Sequence, residues 1–284
     1  MFLLLLPLIA LCLPAYSLDT SGKLLLTGGV SSIEGSAGGG ITPWALIGGY
    51  GTRDQVGANA YYTNLEISEY SLESYGALVG LYDRVELSAA RQTFDTQNVG
   101  TKLGLGKGFK IKQDILGVKV KILGDAVLEQ ASWLPQIAIG AQHKWNHEGN
   151  LVRALGARSD TGIDYYVSAT KIFLGESLLA NATLRRTNSN QMGLLGFGGD
   201  ANQKHKLYLE ASLAYLLHRD LALGTEYRSK PDNLKVAEEE DWYDIFLAWA
   251  PTKNISLTLA YAMLGQVAIQ DNQSAVYTSL QLGF

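Results

Sequence analysis

Apolar and polar residues alternate along most of the chain in segments of about ten residues, the length that a tilted β-strand needs to cross a membrane. In the clearest segment, Ile255 to Met263, every second residue is large and apolar, and serine, threonine or alanine stands between. The same period recurs at Leu207 to Leu217 and at Leu116 to Ile122. A strand with one apolar face and one small or polar face separates lipid from the interior of a barrel.

Strand number follows from counting such segments back from the C-terminus. Their predicted centres are Tyr277, Leu257, Ile245, Leu223, Leu209, Ala182, Val167, Ile139, Val118, Leu87, Val79 and Ala58. The segment from Ile41 to Gly51 resembles a further strand, and Leu24 to Ile33 would make the total even, as single-chain bacterial barrels favour. The sequence thus predicts 12 or 14 strands, with a preference for 14. With the smaller number, the glycine-rich residues 18–40 form a plug or a periplasmic segment.

A soluble β-sandwich also alternates, with its apolar face turned inward, and is the main alternative. Two features favour a membrane barrel. Aromatic residues lie near segment ends, as in the aromatic girdles of membrane barrels: Trp44, Trp133, Trp145, Trp242, Trp249 and Tyr82. Connections also alternate between short turns and long polar loops, the long ones predicted at 96–110, 147–161, 189–204, 229–240 and 265–274. The predicted fold is an all-β, antiparallel, up-and-down transmembrane barrel.

The first seventeen residues have the features of a secretory signal peptide. The apolar run from Phe2 to Leu13 is shorter than the ~20 residues of a membrane-spanning helix. The small-x-small sequence Ala15-Tyr16-Ser17 follows, so we expect cleavage after Ser17 and a single barrel domain over residues 18–284. Cys12, the only cysteine, leaves with the signal. The mature chain then has no disulfide, no catalytic thiol and no cysteine ligand for a metal.

The charge balance of the chain argues against one class of partner, nucleic acids. The chain has 23 basic and 27 acidic residues, a formal net charge of −4. A nucleic-acid-binding protein usually has a strongly basic face, so we expect no nucleic-acid partner. Charged residues make up 18 % of the chain, below the ~25 % typical of soluble domains.

The C-terminal residues AVYTSLQLGF resemble the last strand of bacterial outer-membrane barrels. In those barrels an alternating apolar strand that ends in phenylalanine is recognised by the barrel-assembly machinery. The resemblance implies that Val276, Leu280, Leu282 and Phe284 form this assembly signal. It also implies the outer membrane of a Gram-negative bacterium, with outer-membrane lipid and lipopolysaccharide as partners.

Three further segments resemble an uncharacterised proteobacterial family of presumed outer-membrane proteins. They are GGGITPWALIGGYG at Gly38–Gly51, LYDRVELSAARQ at Leu81–Gln92 and WLPQIAIGAQ at Trp133–Gln142. The resemblance implies location and fold, and it implies no substrate.

Catalytic and metal-binding motifs are not found in the sequence. The histidines of the chain are His143, His147, His205 and His218. None is followed by the x-Ser that outer-membrane phospholipases and lipid-A deacylases share, and no Asp-His dipeptide of outer-membrane aspartyl-type proteases occurs. His143 and His147 stand at the end of a predicted strand, ~13 Å apart if it is extended. We therefore expect neither an enzyme nor a cofactor nor a metal site.

The charges on the predicted interior face of the barrel are Lys119, Lys121, Arg185, Glu210, Glu226, Arg228 and Asp244. Such charges either pair to fill the interior or line a water-filled pore. The main hypothesis is a passive, porin-like channel for small hydrophilic solutes or ions. The alternatives are a closed structural or adhesive barrel that acts through its external loops, and a plugged transporter of hydrophobic substrates. The oligomeric state is left open.

Overall fold

The computed structural model describes residues 22–284, so the predicted signal peptide lies outside the described residues. Its strands are β1 (Val30–Ser31), β2 (Ala37–Gly38), β3 (Val56–Ile67), β4 (Ser71–Leu81), β5 (Val85–Asp95), β6 (Lys110–Leu123), β7 (Gln136–Asn146), β8 (Thr161–Phe173), β9 (Leu178–Thr187), β10 (Lys206–His218), β11 (Leu221–Arg228), β12 (Trp242–Thr252), β13 (Ile255–Val267) and β14 (Gln270–Gly283). Two short helices, α1 (Val99–Lys102) and α2 (Gly149–Ala154), and a 3₁₀ turn (Gln191–Gly193) lie in connections. No helix within residues 22–284 is long and apolar enough to cross a membrane.

Strands β3 to β14 form one closed antiparallel barrel. Each strand pairs with its neighbour in sequence, and β14 closes the barrel on β3 with Tyr277 opposite Leu65. All the predicted strand centres lie in these strands, which confirms an up-and-down barrel of 12 strands. The preference for 14 strands is wrong. Neither residues 24–33 nor residues 41–51 belong to the wall: residues 30–33 and 41–49 are buried inside the barrel, while Leu24 is exposed.

The outer face of the barrel is apolar and exposed. Leu257, Leu259 and Tyr261 on β13 keep 37 %, 54 % and 51 % of their surface exposed, while the residues between them point inward and are buried. A soluble sandwich would bury this face, whereas a membrane barrel turns it to lipid. The alternation in the sequence is therefore the alternation between lipid and interior.

The two ends of the barrel differ in the length of their connections. We call the end with the connections 96–109, 147–160, 188–205 and 229–241 the loop end, and the opposite end the turn end. The predicted loop at 265–274 is wrong, because β13 and β14 continue through polar residues to a two-residue turn at 268–269. The turn end carries one long connection, 124–135, which the sequence did not reveal.

Aromatic residues near strand ends divide into two groups. Trp133, Trp249 and Tyr82 are exposed on the outside, as expected of a girdle, and Trp145 is half-buried on the outward face of β7 beside His143. Trp44 and Trp242 are buried in the interior, so their predicted place in the girdle is wrong. Trp44 donates from Nε1 to the hydroxyl of Ser212, an interior partner that a lipid-facing indole would lack.

The C-terminal strand has the face that its sequence predicts. Val276, Leu280 and Leu282 are exposed on the outside of β14. The amide of Phe284 donates to the carbonyl of Ala58 at 2.8 Å, so the last residue continues the pairing with β3. Recognition of these residues during assembly stays a prediction.

Candidate functional site: the filled interior

An N-terminal segment, residues 22–51, occupies the interior of the barrel, and we call it the insert. Every residue from Val30 to Gly49 is buried. Its only regular structure is the hairpin of β1 and β2, with Val30 opposite Gly38 and Ser31 opposite Ala37. The hairpin lies near the barrel wall, where the hydroxyl of Ser31 donates to Oε1 of Gln281 at 2.8 Å.

Glycines let the insert approach the wall and fold on itself. A Cβ atom at Gly38 would lie 2.2 Å from the carbonyl oxygen of Thr42, and one at Gly39 would lie 2.0 Å from Oε1 of Glu226. Both distances are far below van der Waals contact. Close packing therefore requires glycine at both positions.

Glu34 lies at the tip of the hairpin and binds three cations of the wall. Its Oε2 lies 2.9 Å from Nη1 of Arg228 and 3.2 Å from Nη2 of Arg185, and its Oε1 accepts a hydrogen bond from Lys144. Two wall carboxylates complete the cluster. Asp164 lies 2.6 Å from Lys144 Nζ, and Glu210 lies 2.5 Å from Arg185 Nε. Three cations thus face three anions in a buried site, and one of the anions belongs to the insert.

Lys119 and Glu86 form a second contact point between the wall and the insert. The Nζ atom of Lys119 donates to the carbonyls of Ala37 and Leu46 at 2.8 Å and 2.7 Å, and to Glu86 at 3.1 Å. Glu86 in turn accepts from the amides of Ala37 and Gly48 at 3.0 Å and 2.8 Å. One buried ion pair of the wall therefore forms hydrogen bonds with backbone groups of three residues of the insert, Ala37, Leu46 and Gly48.

Glu226 is the third contact point. It accepts hydrogen bonds from the amide of Ile41 at 2.9 Å, from the hydroxyl of Ser212 at 2.9 Å and from the hydroxyl of Thr42. Asp244, on the neighbouring strand, accepts from the amide of Glu226 at 3.1 Å. Glu226 therefore binds Ile41 and Thr42 of the insert, and Arg228 also donates to the carbonyl of Ile41, at 2.9 Å.

Ion pairs also join the insert to the wall at the turn end. Lys23 Nζ lies 2.8 Å and Lys121 Nζ lies 2.6 Å from the carboxylate of Asp83. Asp125 lies 3.5 Å from Arg53. Burial opposes the charge of Asp125, but the amides of Leu128 and Val127 and the nearby cations outweigh it and hold its pKa below the usual value. A cavity of about 460 Å³ opens here.

At the loop end the interior is apolar and covered. Leu65, Leu72 and Leu264 of the wall pack with Leu194 and Leu195 of the connection 188–205, and leave a cavity of only about 20 Å³. Nearby, Lys230 and Glu239 of the connection 229–241 form a buried pair at 3.1 Å. Burial lowers the pKa of Lys230 and raises the pKa of Glu239.

All seven charged residues predicted to face the interior are buried there. Arg185, Glu210 and Arg228 meet in the Glu34 cluster, while the others lie apart: Lys119 with Glu86, Glu226 with Asp244, and Lys121 at the turn end. Within residues 22–284, each of the seven has at most 5 % of its surface exposed. Their role in solute passage therefore stays a proposal.

The sequence reasoning missed four residues of the site: Glu34, Glu86, Lys144 and Asp164. Three of them could have been found, because Glu86, Lys144 and Asp164 alternate with the outward residues Leu87, His143 and Tyr165 on their strands. Glu34 has no such signal, since it lies in an irregular segment.

The histidines and the acidic groups do not form a metal site in the part of the chain that the structure describes. His147 contacts Asp114 at 2.9 Å, and His143 contacts the hydroxyl of Thr161 at 3.2 Å. His218 pairs with Asp220 in a turn. These are exposed surface contacts.

Residues 27–281 match the family described as "Protein of unknown function (DUF3034)". The chain belongs to this family. This confirms the resemblance to an uncharacterised family, and the match covers most of the insert as well as the barrel. Comparison with curated proteins gives no match.

Among solved structures, this chain resembles a KdgM porin. The TM-score is 0.52 and the identity is 9 %, over 80 % of this chain and 99 % of the porin chain. The NanC porin has a TM-score of 0.49 and 14 % identity over 80 % and 98 % of the chains. Outer membrane phospholipase A from Escherichia coli has a TM-score of 0.45 and 11 % identity over 83 % and 94 %. At such identities the KdgM likeness shows the fold alone, and the two weaker scores carry no argument.

Proposed function

We propose that this protein is an outer-membrane, porin-like channel for small hydrophilic solutes or ions, closed by its N-terminal insert and opened when the insert withdraws. The observation that carries the proposal is that buried charged groups make the hydrogen bonds and ion pairs that join insert and wall, in addition to the apolar packing. Glu34, Glu86, Lys119 and Glu226 make most of the side-chain contacts described above. Once separated, these groups can be hydrated, whereas a permanent core is usually apolar.

Placement in the outer membrane is part of the proposal. It is supported by the exposed apolar outer face, by the closed even-numbered barrel and by the C-terminal strand that ends in Phe284. In that orientation the loop end faces outward from the cell and the turn end faces the periplasm. The insert then enters the barrel from the periplasmic side.

A second candidate is transport of apolar solutes, which the apolar loop end favours. Leu65, Leu72, Leu194 and Leu264 form a barrier that a hydrophilic solute crosses only if the connection 188–205 moves. These apolar side chains would instead favour the binding of an apolar solute. The two candidates differ in which solute passes once the insert is gone.

Solute flux in proteoliposomes tests the proposal. We expect slow flux of a small neutral sugar through the wild type, and fast flux through a variant that lacks residues 22–48. Heat-modifiable migration on a gel shows whether the variant barrel is folded. A folded deletion variant that admits no sugar would contradict the channel and favour the apolar transporter or a closed barrel. Equal, fast flux through the wild type would contradict closure by the insert.

A further inference from the structure

Glu34 occupies a site in the wall that has the features of a carboxylate-binding site. Lys144, Arg185 and Arg228 converge on its two oxygens from strands β7, β9 and β11. The three cations are buried, with at most 3 % of each side chain exposed. Arginine and lysine converging on one carboxylate are the usual means of recognising an acidic ligand.

The orientation of these cations does not depend on Glu34 alone. Asp164 holds Lys144, and Glu210 holds both arginines. Arg185 also donates to Gln142 at 2.7 Å, and its guanidinium lies 5.5 Å from the ring centroid of Tyr166. The three donors therefore stay positioned when the carboxylate of the insert leaves.

Withdrawal of Glu34 also leaves a charge imbalance. The three cations then face only Asp164 and Glu210, an excess of one positive charge in a narrow, weakly screened interior. We propose that this site binds the carboxylate of an anionic solute, and that Glu34 occupies it in the closed state in place of that solute. The inference rests on the proposed function and specifies its substrate class as small carboxylates.

Calorimetry on the full-length mature chain tests the site without requiring conduction. The probes are gluconate, a carboxylate, and mannitol, a neutral polyol of the same carbon number. We expect the affinity of Glu34→Gln for gluconate to exceed that of the wild type by about tenfold or more, because the three cations no longer form charge-assisted hydrogen bonds with Glu34. Mannitol should bind neither protein. The double variant Glu34→Gln/Arg185→Gln should lose gluconate binding, while Glu73→Gln on the outer face should behave as the wild type.

Equal gluconate affinity in the wild type and Glu34→Gln would overturn the inference, as would equal binding of mannitol. The result is independent of the flux experiment. Gluconate binding without any solute flux would leave the site standing and reject the channel. Sugar flux through the deletion variant without gluconate binding to Glu34→Gln would reject the site and leave the channel.

A second inference concerns the outer face and rests on an independent observation. A groove of about 350 Å³ lies across strands β6 to β9, within the ~300–1,000 Å³ range of ligand sites. Strand register places Val118, Ala141, Tyr165 and Arg186 in one row along it. At Ala141 a small side chain stands between the larger Val118 and Tyr165.

Arg186 gives this groove a charged end. It points outward one residue before the loop end of β9, and no residue within 22–284 makes a hydrogen bond or ion pair with its side chain. The other outward arginine near this end, Arg91, differs because Asp114 binds it through both oxygens, at 2.5 Å and 2.6 Å. An arginine at the edge of the lipid-facing belt extends its guanidinium to the head-group region, where an anionic group stabilises it, and for Arg186 the protein supplies no such group.

We infer that this groove binds one lipopolysaccharide molecule of the outer leaflet, with a phosphate at Arg186 and an acyl chain along Ala141 and Val118. This inference requires the outer-membrane location of the proposed function but not an open channel. Tyr165, beside Arg186, suits the boundary between head group and acyl chain. The charge complementarity selects this lipid because the cation lies at the loop end, which faces the outer leaflet.

Native mass spectrometry of the refolded protein with a rough lipopolysaccharide tests the groove. We expect one bound molecule per chain of the wild type. Its affinity should fall by about tenfold or more in Arg186→Gln, and likewise in Ala141→Trp, whose larger side chain fills the groove. Arg153→Gln, a loop residue paired with Asp160, is the control and should bind normally. Unchanged binding in both groove variants would overturn the inference, and so would preferred binding of phosphatidylglycerol or of a second copy of the chain.

Discussion

Arg228 on strand β11 donates from Nη1 to Oε2 of Glu34 in the insert at 2.9 Å, although 194 residues separate the two in sequence. The contact forms only when the barrel has closed around the insert, because no local element brings these residues together. It therefore reports directly on whether the interior is filled.

Replacing Glu34 with alanine should weaken the docking of the insert. The variant leaves Lys144, Arg185 and Arg228 with one carboxylate fewer in a buried site, and removal of one partner of a buried pair typically costs about 3–5 kcal/mol. Hydrogen exchange at the amides of Ala37 and Ile41 measures the effect, and we expect it to accelerate. Glu73→Ala on the outer face is the control. Unchanged exchange in Glu34→Ala would show that the ion cluster does not hold the insert.

Adding one methyl group at Gly39 should also displace the insert. In Gly39→Ala the new Cβ would lie 2.0 Å from Oε1 of Glu226, and overpacking of this kind costs about 1–3 kcal/mol. Gly175→Ala is the matched control, because no atom lies within 4 Å of the position of its Cβ. We expect faster sugar flux through proteoliposomes that contain Gly39→Ala and no change with Gly175→Ala. Identical flux in both variants would contradict tight packing at Gly39.

Acid should loosen the connection 124–135 through Asp125. The pKa of this carboxyl is lower in the folded chain than its ordinary value of 3.8, so the folded state binds the proton less readily than the unfolded state. The stabilisation is complete above that ordinary pKa and is lost as pH falls through the lowered folded pKa. Protection factors at the amides of Val127 and Leu128, taken relative to unstructured peptide at each pH, should fall with acid in the wild type. In Asp125→Asn they should depend less on pH, and a matching decline would exclude Asp125 as the cause.

The barrel itself was predictable because lipid imposes a rule on every strand. Alternate residues must be apolar, so Leu257 and Ile245 mark their strands without knowledge of any neighbour. The same rule assigned Arg185, Glu210 and Arg228 to the interior. It failed at residues 265–274, where the strands leave the apolar belt and their polar residues resemble a loop.

The filled interior was not predictable in the same way. Residues 41–51 are apolar enough to resemble a strand, and only the closed barrel shows that Trp44 contacts Ser212 instead of lipid. The partner of Glu34 is set by strands more than a hundred residues away, and no local pattern encodes that choice. Sequence reasoning therefore identified which charges face inward, and the structure was needed to show what they bind.

Closure by the insert is most directly tested by locking it to the wall. The hydroxyls of Thr42 in the insert and Ser212 in β10 lie 2.6 Å apart, so cysteines at these positions are close enough for a disulfide, and the mature chain is expected to contain no other cysteine. Single-channel conductance of Thr42→Cys/Ser212→Cys is measured in planar bilayers before and after reduction. We predict that the oxidised protein stays closed at every voltage and that the reduced protein shows discrete openings. Openings of the same size and frequency in the oxidised protein would contradict the account.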